Sequence, residues 1–90
     1  MDKRNRFEIV ADILTVLERE GAMYKTQIAN KCNLDTRMLG RYIDMLLDAR
    51  LITHDPDQPR AFIITDEGRR YLILYRRIKQ MLSDYEFNLH

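Results

Sequence analysis

Cysteine is nearly absent from this sequence of 90 residues. Cys32 is the only one, so it cannot form an internal disulfide, and with two scattered histidines it makes no cluster spaced like metal ligands. We therefore expect a small buried thiol within a helix, no metal site and no cofactor.

Long apolar runs are also missing. No stretch approaches the roughly 18 apolar residues of a membrane span, and no apolar segment follows the basic N-terminus "MDKRNR", as a signal peptide would require. An apolar content of 46% with 32% charged residues is typical of a globular domain and not of a disordered tail. These features predict one small cytoplasmic domain without a membrane partner.

The sequence has no marked excess of either charge, since its formal net charge is only +1. That value is weak support for a nucleic-acid partner, which usually binds a basic domain. The positions of the charges are more informative. Basic residues cluster at Lys3, Arg4 and Arg6 and again in residues 25–41, where Asp35 is the only acid. Positive charge is therefore segregated along the chain.

Motifs of catalytic sites are lacking as well. The chain has no glycine-rich phosphate loop, no Ser/His/Asp set and no paired-histidine motif. His54 and His90 are too isolated to suggest a general base. We therefore expect that the protein is not an enzyme.

What is present is an ordered series of amphipathic elements. Apolar spacings of three and four predict a first helix over residues 5–20, ended by Gly21. A short second helix over 25–31 and a turn at "CNLD" precede a third helix over 35–49, for which Asp35 is a suitable N-cap. The predicted buried face of the first helix consists of Phe7, Val10, Ile13, Leu14 and Leu17.

The third helix has two different faces. The predicted inner face is apolar and consists of Leu39, Tyr42, Ile43, Leu46 and Leu47. The predicted outer face is polar and consists of Thr36, Arg37, Gly40, Arg41, Asp44 and Asp48. A glycine inside a helix costs about 1 kcal/mol relative to alanine. Gly40 therefore either allows close approach, to a phosphate backbone or a neighbouring helix, or is simply tolerated.

Two short apolar runs, "LITH" and "AFIIT", flank the loop "DPDQPR", which predicts a β-hairpin. Thr65 is a plausible N-cap for a last helix over residues 66–90. The fold class is therefore mainly α with a small β-hairpin. Three helices, a hairpin and a long helix make the order of a winged helix-turn-helix, in which the hairpin is the wing.

The last helix carries an apolar stripe with the a/d spacing of a coiled coil. It would be roughly 37 Å long at about 1.5 Å per residue, so a three-helix core can cover only its first turns, up to about Leu74. We predict a winged helix-turn-helix domain over 1–68 and a dimerisation helix over 69–90. The residues predicted to contact a second copy are Tyr75, Ile78, Leu82, Tyr85 and Leu89.

The charges beside this stripe bear on the orientation of the two copies. With Tyr75 at an a position, Lys79 and Glu86 both fall at e. These charges would face each other across an antiparallel pair. The pattern favours the antiparallel arrangement, and the parallel arrangement stays open as an alternative.

The segment "YKTQIANKCNLDTRMLGRYIDMLLDARLI", followed by "FIITDEGRRYL", resembles small archaeal winged-helix proteins. The matching positions are Lys25, Thr26 and Ile28 in the second helix, Asn33 and Leu34 in the turn, Tyr42, Leu46 and Leu47 in the third helix, and Thr65 and Gly68 before the last helix. The resemblance implies a DNA-binding regulator or chromatin-associated protein that dimerises through antiparallel C-terminal helices. An archaeal protein of this kind would be nucleoid-associated. Gly40 and the acidic loop "DPDQPR" depart from the family pattern.

In such a fold the helix after the turn enters the major groove of double-stranded DNA with its N-terminal residues toward the bases. The predicted DNA-binding residues are Lys25, Gln27, Lys31, Thr36, Arg37, Gly40, Arg41 and Arg60. The alternative is a winged helix that binds protein within a larger assembly. The weak net charge and the acidic wing favour that alternative, whereas Arg37 and Arg41 favour DNA.

Overall fold

The computed structural model describes the backbone of residues 3–88 and the side chains of residues 3–83. Within that range the elements are α1 (Arg6–Glu20), β1 (Met23–Tyr24), α2 (Lys25–Cys32), α3 (Thr36–Asp48), β2 (Ile52–His54), β3 (Ala61–Ile64) and α4 (Asp66–Asn88). The predicted fold class is confirmed. No helix in this range is long and apolar enough to cross a membrane.

The predicted helix boundaries rest on local signals that the structure confirms. Gly21 ends α1 with a φ of +84°, a conformation that glycine adopts at little cost. Asp35 caps α3, since its Oδ1 accepts a hydrogen bond from the amide of Arg37 at 2.7 Å. Thr65 Oγ1 accepts one from the amide of Gly68 at 3.0 Å and so caps α4. Each cap satisfies an amide that has no partner within its helix.

One strand in the described range, β1, was not predicted. It pairs antiparallel with β3 in the register Met23↔Phe62 and Tyr24↔Ala61, which gives a three-stranded sheet in the order β1-β3-β2. A strand of two residues is too short to show the alternation by which strands are recognised. Its pairing ties the start of α2 to the hairpin, so the wing is attached to the helix-turn-helix pair.

The core lies between α1, α2, α3, the sheet and the first turns of α4. Its most deeply buried side chains are Ile9, Ile13, Leu14, Leu17, Ile28, Leu39, Ile43, Leu46, Ile52 and Leu72. The expectation that Cys32 is buried is confirmed. Burial, together with the nearby carboxylate of Asp12, raises the pKa of its thiol to about 11.

The placement of Phe7 on the buried face of α1 is wrong. Its side chain is 66% exposed, because it lies in the first turn of the helix, at the edge of the core. The Tyr71 hydroxyl donates a hydrogen bond to the Phe7 carbonyl at 2.9 Å, so α4 reaches the backbone there. The rest of the predicted face, from Val10 to Leu17, is buried.

The two helical glycines should respond in opposite ways to alanine. A Cβ at Gly68 would overlap the carbonyl oxygen of Leu51 and lie 2.6 Å from Cγ1 of Ile64, whereas one at Gly40 would meet only Lys25 Nζ, at 4.0 Å. We expect Gly68→Ala to lower the free energy of unfolding by about 3 kcal/mol. Gly40→Ala should raise it by up to about 1 kcal/mol. Urea unfolding at one protein concentration measures both, and equal effects would contradict the packing described here.

Candidate nucleic-acid interface

The outer face of α3 carries two exposed arginines one helical turn apart, Arg37 and Arg41. Neither side chain has a hydrogen bond or ion pair with any residue in the part of the chain that the structure describes. Thr36 is exposed beside them in the first turn. Two guanidinium groups are therefore available for an external partner at the N-terminal half of this helix.

The orientation of α3 follows from its apolar face. Leu39, Ile43 and Leu46 recur at spacings of four and three, and each is at most 2% exposed. Burying three such side chains fixes the rotation of the helix about its axis. Arg37 and Arg41 lie on the other side and consequently point to solvent. Tyr42 and Leu47, also predicted to face inward, are only half-buried at the margin of this face.

Lys25, the first residue of α2, lies against the same part of α3. Its Nζ is the nearest atom to the position that a Cβ on Gly40 would occupy, at 4.0 Å. No backbone atom of another described element lies within 4 Å of that position, so close packing of a helix backbone does not explain Gly40 within the described residues. Lys25, Arg37 and Arg41 together form a positively charged surface, hereafter the basic tip.

Two other predicted DNA-binding residues have protein partners. Gln27 Oε1 accepts a hydrogen bond from the amide of Tyr24 at 2.8 Å, which closes the start of α2. Lys31 Nζ forms an ion pair with Glu20 Oε1 at 3.2 Å. Both side chains nevertheless remain exposed. The Gln27 contact is a local cap between residues three apart that the sequence analysis missed, whereas the Lys31–Glu20 pair depends on the packing of α2 against the end of α1.

The wing (residues 52–64) has one polar contact that joins it to the rest of the domain and another within the hairpin. The Tyr24 hydroxyl of β1 donates a hydrogen bond to Gln58 Oε1. His54 Nδ1 donates one to the Pro59 carbonyl at 2.7 Å. Arg60 is exposed, and no ion pair to it occurs among the described residues. The wing therefore offers one arginine in a fixed hairpin.

Arg6 is a candidate that the sequence did not single out. With Arg41 it lines a pocket of about 370 Å³ whose other walls are Met38, Tyr42 and Met45. Arg6 belongs to the basic N-terminal cluster. The sequence shows that this cluster is positively charged but does not show which part of the folded surface it lies beside. The fold places this arginine beside the C-terminal side of the basic tip.

The apolar stripe of α4 is exposed beyond its first turns. Leu72 is fully buried, whereas Leu74, Ile78, Met81 and Leu82 are between 50% and 65% exposed. These exposed side chains share one side of the helix, hereafter the α4 stripe.

Tyr75 differs from the other residues predicted for the dimer. It is only half-buried and packs partly against its own core, and its ring stacks on Tyr71 with centroids 6.1 Å apart. Lys79 Nζ lies 5.7 Å from the centre of the Tyr75 ring. The predicted contacts of the Tyr85 side chain and of Leu89 lie outside the described residues.

The comparisons with known proteins agree with this architecture. Residues 3–83 match the winged helix-turn-helix family. The uncharacterized protein MJ0287 of Methanocaldococcus jannaschii is 34% identical over 82 residues, which cover 90% of this chain and 80% of that protein.

Two solved structures share the fold. A MarR family transcriptional regulator from Silicibacter pomeroyi has a TM-score of 0.67 at 24% identity, over 88% of this chain and 53% of that chain. The transcriptional regulator BldR from Sulfolobus solfataricus has a TM-score of 0.64 at 23% identity, over 86% and 61%. This chain thus spans less than two thirds of either regulator. The family match and the archaeal relative together show that the chain belongs to the winged helix-turn-helix family.

Proposed function

We propose that this protein is a DNA-binding regulator or chromatin-associated protein that inserts the N-terminal half of α3 into the major groove. The observation that carries the proposal is the basic tip: Arg37 and Arg41 are exposed and without ion pairs to any described residue, and Lys25 lies beside them. Winged helix-turn-helix proteins present this face to DNA. The two similar structures named as transcriptional regulators support the same reading.

The side chains of α3 suit two kinds of contact. Arginine can bond both acceptors of guanine in the major groove, so Arg37 and Arg41 are the proposed base readers, and Thr36 can contact a base or a thymine methyl. Gly40 leaves room for a close phosphate. Asp44 and Asp48 are exposed further along the same helix and would repel phosphate. Only the first two turns of α3 therefore enter the groove.

The remaining predicted contacts would bind the DNA backbone, which supplies most of the affinity in such complexes. Lys25 and Arg60 are exposed without ion pairs among the described residues. Lys31 must exchange Glu20 for a phosphate, which costs little because an exposed ion pair is worth about 1 kcal/mol or less. Gln27 contributes through its exposed amide nitrogen while its oxygen stays on Tyr24. On this proposal the protein works in the cytoplasm, on the nucleoid.

We further propose that the α4 stripe pairs with the stripe of a second copy to form a homodimer. Four apolar side chains at least half exposed along one side of a helix are costly to leave in water. The exposures support a seam centred on Ile78 and Leu82. Leu74 and Met81 lie beside this seam and are more exposed than Tyr75, whose side chain is partly covered by its own domain. Residues 69–90 then act as the dimerisation segment in their later turns.

Duplex binding measured against salt tests the DNA-binding proposal. The logarithm of the affinity should fall linearly with the logarithm of salt concentration, by about 0.9 for each phosphate neutralised. Three candidate backbone cations in each protomer, Lys25, Lys31 and Arg60, predict a slope of about −3 per bound protomer. Fluorescence anisotropy with mixed-sequence duplexes at several salt concentrations gives this value. Absence of binding at low salt would favour the alternative, a protein-binding winged helix.

A further inference from the structure

A second concentration of positive charge lies away from the basic tip. It lines a cleft of about 710 Å³ between the N-terminal segment, α1 and the end of α2, hereafter the cationic cleft. Four of its lining residues are cations, and one is an acid. The cations are Lys3, Arg4, Arg19 and Lys31, and the acid is Asp12.

The walls of the cationic cleft are set by secondary structure. Asp12, Thr15, Val16 and Arg19 lie three, four and seven residues apart and therefore share one face of α1. Arg4 joins the N-terminal segment to that face through an ion pair with Asp12 at 2.7 Å. The same guanidinium donates a hydrogen bond to the carbonyl of Asn33, in the turn after α2, at 3.4 Å. Three parts of the chain are thus held around one recess.

Two of the four cations in the cationic cleft have no ion pair with any described residue. Asp12 is matched by Arg4. Lys31 has a single exposed ion pair, with Glu20. Lys3 and Arg19 form no ion pair with any described residue. Converging cations without internal partners lower the free energy of a bound anion.

We propose that the cationic cleft binds a small phosphorylated molecule that carries at least two negative charges. Its volume lies in the range of about 300–1,000 Å³ typical of small-molecule sites. Lysine and arginine bind phosphate oxygens through charge-assisted hydrogen bonds, and a single carboxylate could not engage cations from three separate segments. The Thr15 hydroxyl can add a hydrogen bond, and Val16 offers an apolar wall to the rest of the ligand.

A recess suits a small anion better than it suits a rigid duplex. The cationic cleft meets α2 at Lys31, near the C-terminal end of the helix, whereas Lys25 of the basic tip is at the opposite end. Over six residues these positions are separated by about 9 Å along the helix axis. Neither Lys3 nor Arg19 belongs to the proposed DNA-binding set, so the two sites can be tested separately.

Titration of the full chain with inorganic tripolyphosphate tests the proposal. We expect one molecule bound per chain by calorimetry, with the largest amide NMR shifts in residues 12–19 and 31–33. Lys3→Gln/Arg19→Gln should weaken this binding at least about tenfold. The control Arg69→Gln/Arg70→Gln removes the same charge from exposed positions on α4 and should change it less than about twofold.

Three results would overturn the cationic cleft as a small-anion site. The first is an equal loss in both double variants, which would mean attraction by net charge alone. The second is a set of NMR shifts centred on Arg37 and Arg41, which would place the anion at the basic tip. The third is a loss of duplex affinity in Lys3→Gln/Arg19→Gln as large as the loss of tripolyphosphate affinity, which would make the cleft part of the DNA contact.

Discussion

The Arg37→Ala/Arg41→Ala variant should lose at least about 100-fold in duplex affinity while its unfolding transition stays unchanged. Each bidentate arginine–guanine pair is worth about 1–3 kcal/mol, so two lost pairs exceed that factor at the middle of the range. The fold should persist because both side chains are exposed and have no hydrogen bond or ion pair to the residues in 3–83. Fluorescence anisotropy and urea unfolding measure the two quantities.

A matched variant separates a local effect from one of net charge. Arg69→Ala/Arg70→Ala removes the same charge from the first turns of α4, where both arginines pair with exposed acids of the same helix. Its duplex affinity should change by no more than about threefold. The salt slope should stay nearly constant in both variants, because Arg37 and Arg41 are proposed to contact bases and not phosphates. Equal affinity losses in the two variants would remove α3 as the reading helix.

The second large effect concerns the α4 stripe. Ile78→Asp/Leu82→Asp should turn the proposed dimer into monomers in analytical ultracentrifugation, because four carboxylates would have to be buried at the seam. Both side chains are more than half exposed, at 58% and 52%, so the isolated fold should tolerate the change. The matched control is Ile73→Asp/Gln80→Asp, which places two aspartates roughly opposite the stripe on the same helix. That control should stay dimeric.

The dimer prediction also bears on how DNA is bound. Two recognition helices on one duplex face should lie about 34–36 Å apart, or a multiple of that distance. The monomeric variant should keep the basic tip intact yet bind duplex more weakly, because two linked sites bind more tightly than one. A dimer that survives Ile78→Asp/Leu82→Asp would show that the copies associate elsewhere or that α4 pairs through a different face.

Features that depend on neighbours in sequence were predictable. The helices, the capping roles of Asp35 and Thr65, and the glycine end of α1 follow from contacts within a few residues, so composition and spacing reveal them. The outward direction of Arg37 and Arg41 was predictable for the same reason. A 3.6-residue period that buries Leu39, Ile43 and Leu46 leaves the arginines on the other face.

Features that depend on distant parts of the chain could not be predicted from the sequence. Strand β1 exists only because β3, almost forty residues later, supplies its partner. Phe7 has the spacing of a core residue but lies beyond the edge of the core. The periodicity of α4 placed Tyr75 in the seam with Ile78, whereas packing against the core and stacking on Tyr71 partly cover it.

The proposed DNA surface also has some features that the sequence predicts and others that only the packed structure determines. Spacing along one helix was enough to put guanidinium groups on the outside of α3, because a side chain's direction there is a local property. Only the packed structure determined that Lys25 lies over Gly40, that Lys31 already pairs with Glu20, and that the N-terminal cations surround a second recess. Those relations join segments far apart in the chain, and the positions of such segments are set by burial of the shared core, which no local pattern encodes.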